Sequence, residues 1–318
     1  VKPPRLRDGD TIGLISTGTR LSDDWIARRR AQRAGGWAFG SGWRPNVQAV
    51  HGHYSGTVRS VWTTLHALWA DPEVRALWSV RGGAGTAAAA AAPGLGAMRR
   101  DPKPVLGYSD VTALHLGLLR HAGLVCFHTL AAVSRFTPYS LGLLRAVLMQ
   151  GTAPLRMERS AEHRARADAE AQYRARTVRA GVAEGPLVGG NLSVLSGPGG
   201  HAVRRAKRRC AAVPGGRGRT ALPHRPHADA AGAGRPAARR RGPAGGRVPR
   251  TARPRPTPTV HACRWRRPST RASGLPAVPA VYGYSFGHVR DQITLPLGVR
   301  ARLDTADETL TLLEPAVS

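Results

Sequence analysis

Hydrophobic positions in the first third of the chain fall into short blocks separated by polar and glycine-rich stretches. Asp10-Thr11-Ile12-Gly13-Leu14-Ile15-Ser16 is a buried-strand pattern that ends in small residues, Thr17 to Thr19. A helical stretch follows near Val61 to Trp69. Ala76-Leu77-Trp78-Ser79-Val80 then reads as a second strand running into Arg81-Gly82-Gly83-Ala84-Gly85. Pro104-Val105-Leu106 is a third apolar run. After it, Val111, Leu114 and Leu118 share one face of a helix reaching His121, with Leu119 beside Leu118. Leu124-Val125-Cys126-Phe127 completes the alternation. The pattern predicts an α/β fold, a parallel Rossmann- or flavodoxin-like sheet with helices on both faces. A site is expected at the carboxyl ends of its strands.

The second half reads differently. Arg159 to Arg179 is polar and rich in Arg, Ala and Glu, as in a helical or flexible connector. Gly189-Gly190-Asn191-Leu192-Ser193 opens a second unit, and Val281 to Ser285, Ile293 to Val299 and Thr309 to Glu314 read as strands. The expected division is an N-terminal domain over 1–135, a connector over 136–182, and a smaller β-rich α+β domain over 183–318.

Charge changes the picture in one window. The 318 residues carry a net charge of +29, which ordinarily points to a nucleic acid or a membrane surface. Residues 201–280, however, hold 20 Lys/Arg against a single acid, Asp229, with two leucines and no Ile, Met, Phe or Tyr. That window cannot build a core and is expected to be disordered. Its one aromatic, Trp265, leaves it without the stacking platforms of a single-strand binder, so a nucleic-acid partner is not expected.

Cys126, Cys210 and Cys263 have no C-x-x-C spacing, so neither a zinc site nor a disulfide framework is expected. The longest uniformly apolar run, Ala87 to Ala92, is far too short to span a bilayer. The opening Val-Lys-Pro-Pro-Arg lacks an apolar signal region, which makes a reducing cytoplasm the expected location.

The candidate chemistry sits in Gly107-Tyr108-Ser109-Asp110, between a strand pattern and a helix pattern. A serine at such a turn exposes its hydroxyl where N–H groups of the helix start can face a developing oxyanion. Ser109 or Asp110 capping the helix is the alternative, since both residue types favour that position.

Five segments, in order, resemble the LD-carboxypeptidase family, the serine peptidases of murein tetrapeptide recycling with their microcin-immunity relatives. They are Gly9-Asp10-Thr11-Ile12-Gly13; Arg81-Gly82-Gly83 with Gly85; Lys103-Pro104 with Gly107-Tyr108-Ser109-Asp110; Gly189-Gly190-Asn191-Leu192-Ser193; and Phe286-Gly287-His288 with Leu295-Pro296-Leu297-Gly298. The resemblance spans about two thirds of the chain and includes a terminal Leu313-Glu314-Pro315-Ala316-Val317. It implies a metal-free and cofactor-free Ser-Glu-His triad. Ser109 matches the nucleophile and His288 the general base. The N–H of Asp110 and one from Gly82 or Gly83 would hold the oxyanion. The implied substrate is a small muropeptide, cleaved between an L-configured centre and a terminal D-alanine, with no membrane partner. A homodimer is compatible with the pattern.

The chain departs from the family in three places. Ala84 stands where the glycine-rich loop usually carries an aromatic, and His128-Thr129-Leu130 replaces His-Gly-Pro. The triad glutamate, expected in Leu-Glu-Asp-Val-Gly-Glu, is missing: no glutamate lies between Glu184 and Glu308. A permissible back-translation of Pro214 to Gly232, moved by one base, encodes Leu-Glu-Asp-Val-Gly-Glu-Arg-Pro-Tyr-Arg-Ile-Asp-Arg-Met-Leu-Thr-Gln-Leu. The same phase turns Gly197 to Val203 into Ala-Leu-Val-Gly-Thr-Pro-Tyr. The expectation is that about 197–274 is an out-of-frame reading of a GC-rich gene, which also accounts for its Arg, Pro, Ala and Gly. As written, the chain is expected to be impaired. The rival readings are a microcin-immunity-type hydrolase of acyl-nucleotide conjugates, a basic nucleic-acid-binding relative without catalysis, and a decayed relative that keeps the sheet and the serine.

Overall fold

The computed structural model describes residues 1–19, 49–52, 54–83, 85–86, 94–170, 173–191, 194–195, 210–215, 259–263 and 279–318. Four strands, β1 (Thr11–Ile15), β2 (Val74–Ser79), β3 (Val105–Gly107) and β4 (Cys126–His128), lie side by side in chain order and run parallel. The late strand β11 (Leu295–Leu297) adds to the β4 edge in antiparallel sense, with Leu295 opposite His128. Its incoming end therefore meets the carboxyl ends of the parallel strands.

Side chains alternate across this sheet, and both faces are covered. On one face, Ile15, Leu77, Val105 and Cys126 pack with Leu65 and Leu68 of helix α1 (Val58–Ala70) and Leu114 and Leu118 of α2 (Thr112–Ala122). Thr57 caps α1 by accepting from Ser60 N, and Gly123, at φ 62°, ends α2 in the left-handed conformation that glycine adopts at little cost. Leu65 and Leu118 are three and four residues from their helical neighbours in the same core, as an amphipathic face requires.

The opposite face carries Ile12, Leu14, Trp78, Leu106 and Phe127. They share one core with Leu144 of α3 (Pro138–Arg145), Val147 and Leu148 of the following turn, and a second sheet. That sheet has eight strands in the order β5-β13-β12-β7-β8-β9-β10-β6. They are β5 (Leu155–Met157), β6 (Arg176–Arg179), β7 (Val182–Asn191), β8 (Cys210–Gly215), β9 (Thr259–Cys263), β10 (Ala280–Tyr282), β12 (Arg300–Asp304) and β13 (Thr309–Leu312). Every pairing is antiparallel except β7 with β8. Leu187, Leu303, Leu310 and Leu312 of this sheet meet Trp78 and Phe127 of the first in a continuous core. The α/β class with a β-rich second half is thus the observed architecture.

Three local expectations change. The stretch expected as a connector over 136–182 supplies α3, the short helix α4 (Ala161–Arg166), and β5 and β6, which close the two edges of the second sheet. Its Arg-rich polarity suits edge strands, which keep one side in water. The basic window contributes β8 and β9 despite its composition. Apart from His261, both runs are built of small and β-branched residues, and their backbones join the ladders to β7, to each other and to β10. The rest of that window lies outside the described residues. The run Ile293 to Val299 is shorter than expected as a strand: Gly298, at φ 100°, turns the chain between β11 and β12. No helix among the described residues is long and apolar enough to cross a membrane.

Candidate active site

The turn after β3 is the sharpest in the first sheet. Tyr108 is extended, and Ser109 then adopts φ 63°, one of two non-glycine residues with positive φ among the described residues. A non-glycine residue held there costs about 1–3 kcal/mol and needs its surroundings to enforce it. Here Gly107 (φ 154°) releases the strand, and the 3₁₀ turn Ser109–Val111 feeds directly into α2. The arrangement lifts a half-buried serine to the carboxyl end of the sheet at the start of a helix. Cap geometry does not account for it, since neither Ser109 nor Asp110 supplies a side-chain cap bond to these helical turns.

The glycine loop after β2 comes up against this serine. A Cβ placed on Gly82 would stand 2.8 Å from Ser109 Cβ and 3.2 Å from Ser109 Oγ. Only glycine allows that approach. On the other side of the loop, Thr19 N donates to the Gly82 carbonyl at 3.4 Å, and a Cβ on Gly83 would collide with Thr19. In a trans peptide, the Gly83 N–H points away from that carbonyl and hence away from Thr19. Of the residues singled out in the sequence, Ser109, Asp110, Gly82 and Gly83 are therefore in one place.

His288 arrives from the second half of the chain, in the loop between β10 and β11. The base of this loop is firmly held: Ile293 N donates to Ser285 O at 2.8 Å, Gln292 N to Ser140 Oγ at 2.8 Å, and Ser160 N to Ser285 Oγ at 3.0 Å. Ser285 Oγ also lies 2.8 Å from Nδ1 of His163, and Phe286 is fully buried. His288 is half-buried, and its ring centroid lies 5.0 Å from that of Tyr108, the residue preceding the serine. Tyr108 also meets His128 edge-on at 6.3 Å. His128 is held down to a pKa of about 4, first by burial and then by the neighbouring His288, so its ring is neutral at pH 7.

The glutamate that the resemblance implies as third member of a triad has no counterpart in the written sequence between Glu184 and Glu308. The ladder between β7 and β8 puts Gly215 opposite Asn191 and Pro214 opposite Gly190. Asn191 N donates to Thr112 Oγ1 at 2.9 Å in the first turn of α2, and Gly190 passes so close that a Cβ would overlap Thr112. The glycine-glycine-asparagine motif therefore seats β7 against the helix that begins behind the serine. The backbone of β8 enters the same neighbourhood at its last residue.

Sequence reasoning missed the polar residues that brace this corner. Thr86 N and Thr86 Oγ1 both donate to Asp110 Oδ2, at 3.0 and 2.6 Å, and Thr86 Oγ1 lies 3.0 Å from the Thr17 carbonyl. Ser79 Oγ donates to the Arg81 carbonyl at 3.2 Å. The available signal was a small hydroxyl residue at or just past the end of a buried strand, as at Ser79, the last of β2, and Thr17, two residues beyond β1.

A family profile described as the LD-carboxypeptidase N-terminal domain matches residues 12–129. A putative carboxypeptidase of Vibrio cholerae is 33% identical over 135 residues, covering 41% of this chain and 40% of that protein. A probable murein peptide carboxypeptidase of Bacillus subtilis is 29% identical over 202 residues, covering 61% of this chain and 58% of that protein. The matched stretches thus span about half the length of these two relatives. Among solved structures, MccF in complex with glutamyl sulfamoyl guanosine matches with a TM-score of 0.62 at 16% identity, over 100% of this chain and 99% of that one. A muramoyltetrapeptide carboxypeptidase from Oxalobacter formigenes matches with a TM-score of 0.54 at 16% identity, over 95% and 97%. These two similarities concern the fold, while the profile match covers β1 through the glycine loop, the serine turn and β4. Residues 12–129 thus match the N-terminal domain of the LD-carboxypeptidase family, and the curated carboxypeptidase relatives support that family for the chain.

Proposed function

We propose that this chain derives from a serine carboxypeptidase that hydrolyses the bond between an L-configured centre and a terminal D-alanine in murein tetrapeptides. The observation that carries the reading is the strained Ser109 at the carboxyl end of β3, with the Gly82 backbone against it and His288 across Tyr108. Ser109 Oγ attacks the scissile carbonyl carbon and gives its proton to His288. The carbonyl oxygen, now an anion, is held by backbone N–H groups of Asp110 and the Gly82-Gly83 loop. Collapse breaks the C–N bond, and His288 passes the proton to the leaving D-alanine amine. Water then attacks the acyl-serine with His288 as base, which releases the shortened peptide and restores the hydroxyl. No metal or cofactor enters these steps.

In the family's triad, a glutamate holds the imidazole in the productive tautomer. In the shifted reading frame, Leu-Glu-Asp begins at position 214 and places the glutamate at 215. That position is the last of β8, paired with Asn191 beside the serine helix. The register therefore supports a triad glutamate encoded there and lost from the chain as written. Loss of the corresponding carboxylate costs about 10⁴ in kcat in the Ser-His-Asp template, so little or no turnover is expected of the written chain.

The fold resemblance to MccF favours a second reading, a hydrolase of acyl-sulfamoyl nucleotides with the same serine and histidine. Profiling the frame-restored chain separates the two. Release of D-alanine from L-Ala-γ-D-Glu-meso-diaminopimelate-D-Ala, without cleavage of glutamyl sulfamoyl guanosine, supports the peptidase. Cleavage of the nucleotide conjugate alone replaces it with the second reading. The nucleotide sequence across codons 190–280 tests the frame itself: a sequence that requires the written frame, with no insertion or deletion, overturns the assignment at 215.

A further inference from the structure

The mechanism uses only the backbone of Asp110, yet its side chain is buried (7% exposed) and its Oδ2 is engaged. Oδ2 accepts from both the amide and the hydroxyl of Thr86, itself wholly buried. The hydroxyl has one proton, and the shorter contact, 2.6 Å to the carboxylate against 3.0 Å to the Thr17 carbonyl, is the charge-assisted one. Three pieces of chain meet at this point: the segment after β1 at Thr17, the far end of the glycine loop at Thr86, and the residue after the serine.

The loop between Arg81 and Thr86 carries glycine at 82, 83 and 85, all free of side-chain restraint. Its near end is fixed by Ser79 on the Arg81 carbonyl and by Thr19 on the Gly82 carbonyl. Its far end is fixed at Asp110. An oxyanion hole stabilises a transition state only if its donors are already in place, so a loop of this composition depends on both anchors.

We propose that Asp110 and Thr86 are positioning residues that lock the Gly82-Gly83 backbone at its distance from Ser109, joining the oxyanion loop directly to the serine turn. This rests on the reading of Ser109 as nucleophile. The test measures two quantities in the frame-restored chain: the rate at which a rhodamine-tagged fluorophosphonate labels Ser109, and amide hydrogen exchange across 82–86. Thr86→Val removes the hydroxyl but keeps the amide bond, Thr86→Ser keeps both, and Asp110→Asn removes the charge and one acceptor.

The expected result is labelling about tenfold slower for Thr86→Val and about a hundredfold slower for Asp110→Asn, with Thr86→Ser close to the unmodified chain. Exchange should quicken at 82–86 in the first two variants, without general loss of protection. Unchanged exchange at 82–86 in both Thr86→Val and Asp110→Asn would overturn the proposal. If the frame-restored chain takes no label at Ser109, the nucleophile reading fails, while the exchange data still decide whether Asp110 and Thr86 hold the loop.

Discussion

Gly82→Ala puts the serine-loop contact to a quantitative test. The added methyl would lie 2.8 Å from Ser109 Cβ, 3.2 Å from Ser109 Oγ and 3.2 Å from the Tyr108 carbonyl. Carbon atoms pack comfortably at about 3.5–4.0 Å, so relief demands a movement of about 0.7–1 Å. Ser109 Cβ cannot provide it cheaply, because its backbone is pinned at φ 63° between β3 and the 3₁₀ turn. The glycine loop must retreat instead and take its N–H groups with it. A misplacement of about 1 Å costs about a hundredfold in rate, and overpacking of this kind costs about 1–3 kcal/mol in stability. The assay is the fluorophosphonate labelling rate at Ser109, read beside the urea unfolding curve. A hundredfold loss of labelling with a fold destabilised by only that amount is the expected outcome. Gly82→Ala labelling at the parent rate with an unchanged unfolding midpoint would refute the contact.

Other outcomes follow from the same geometry. Ser109→Ala should remove the label entirely, and Ser109→Gly should in addition stabilise the fold by relieving the positive φ, by about 1 kcal/mol in urea unfolding. Acid should destabilise the fold through three buried imidazoles: burial holds His115 at about 3, His128 at about 4 and His163 at about 4. Each folded value lies below the unfolded one of about 6.5, so the unfolded chain binds more protons and stability falls as pH drops from about 6.5 towards 4. Each group accounts for about 3 kcal/mol at the acid end, and urea midpoints taken at pH 7, 6, 5 and 4.5 should decline steadily. A flat profile would contradict the neutral burial of these rings. His163→Phe should slow labelling of Ser109 by loosening the His288 loop at Ser285, about fivefold on the order of one lost buried hydrogen bond, measured against exchange at 285–292.

Where the pattern was local, the chain could be read directly. Ile12 and Leu14 flanked by Asp10 and Ser16 announce a buried strand. The run from Gly107 to Asp110 joins a three-residue strand to a helix within hydrogen-bonding range of itself, so the serine turn was legible. So was the pairing of Gly82 with that turn, by family likeness. What could not be read depends on pieces of chain brought together from far apart. Asp110 and Thr86 are 24 residues apart and meet only because two loops stack at the ends of adjacent strands. Arg156 and Thr177 look like linker residues, and become edge-strand residues only when the second sheet assembles around β7. His163 shows nothing in its Arg-rich surroundings that would tie it to the stem of the His288 loop. The basic window was legible in the opposite sense, since its composition declared that it could not build a core.

Release of D-alanine from the murein tetrapeptide, followed over time with the frame-restored chain and its Ser109→Ala variant, tests the central claim most directly. The account predicts steady release that disappears with the serine and that the written chain, lacking its carboxylate, shows at no more than about one part in 10⁴. No release from the restored chain, or release that survives Ser109→Ala, would contradict it.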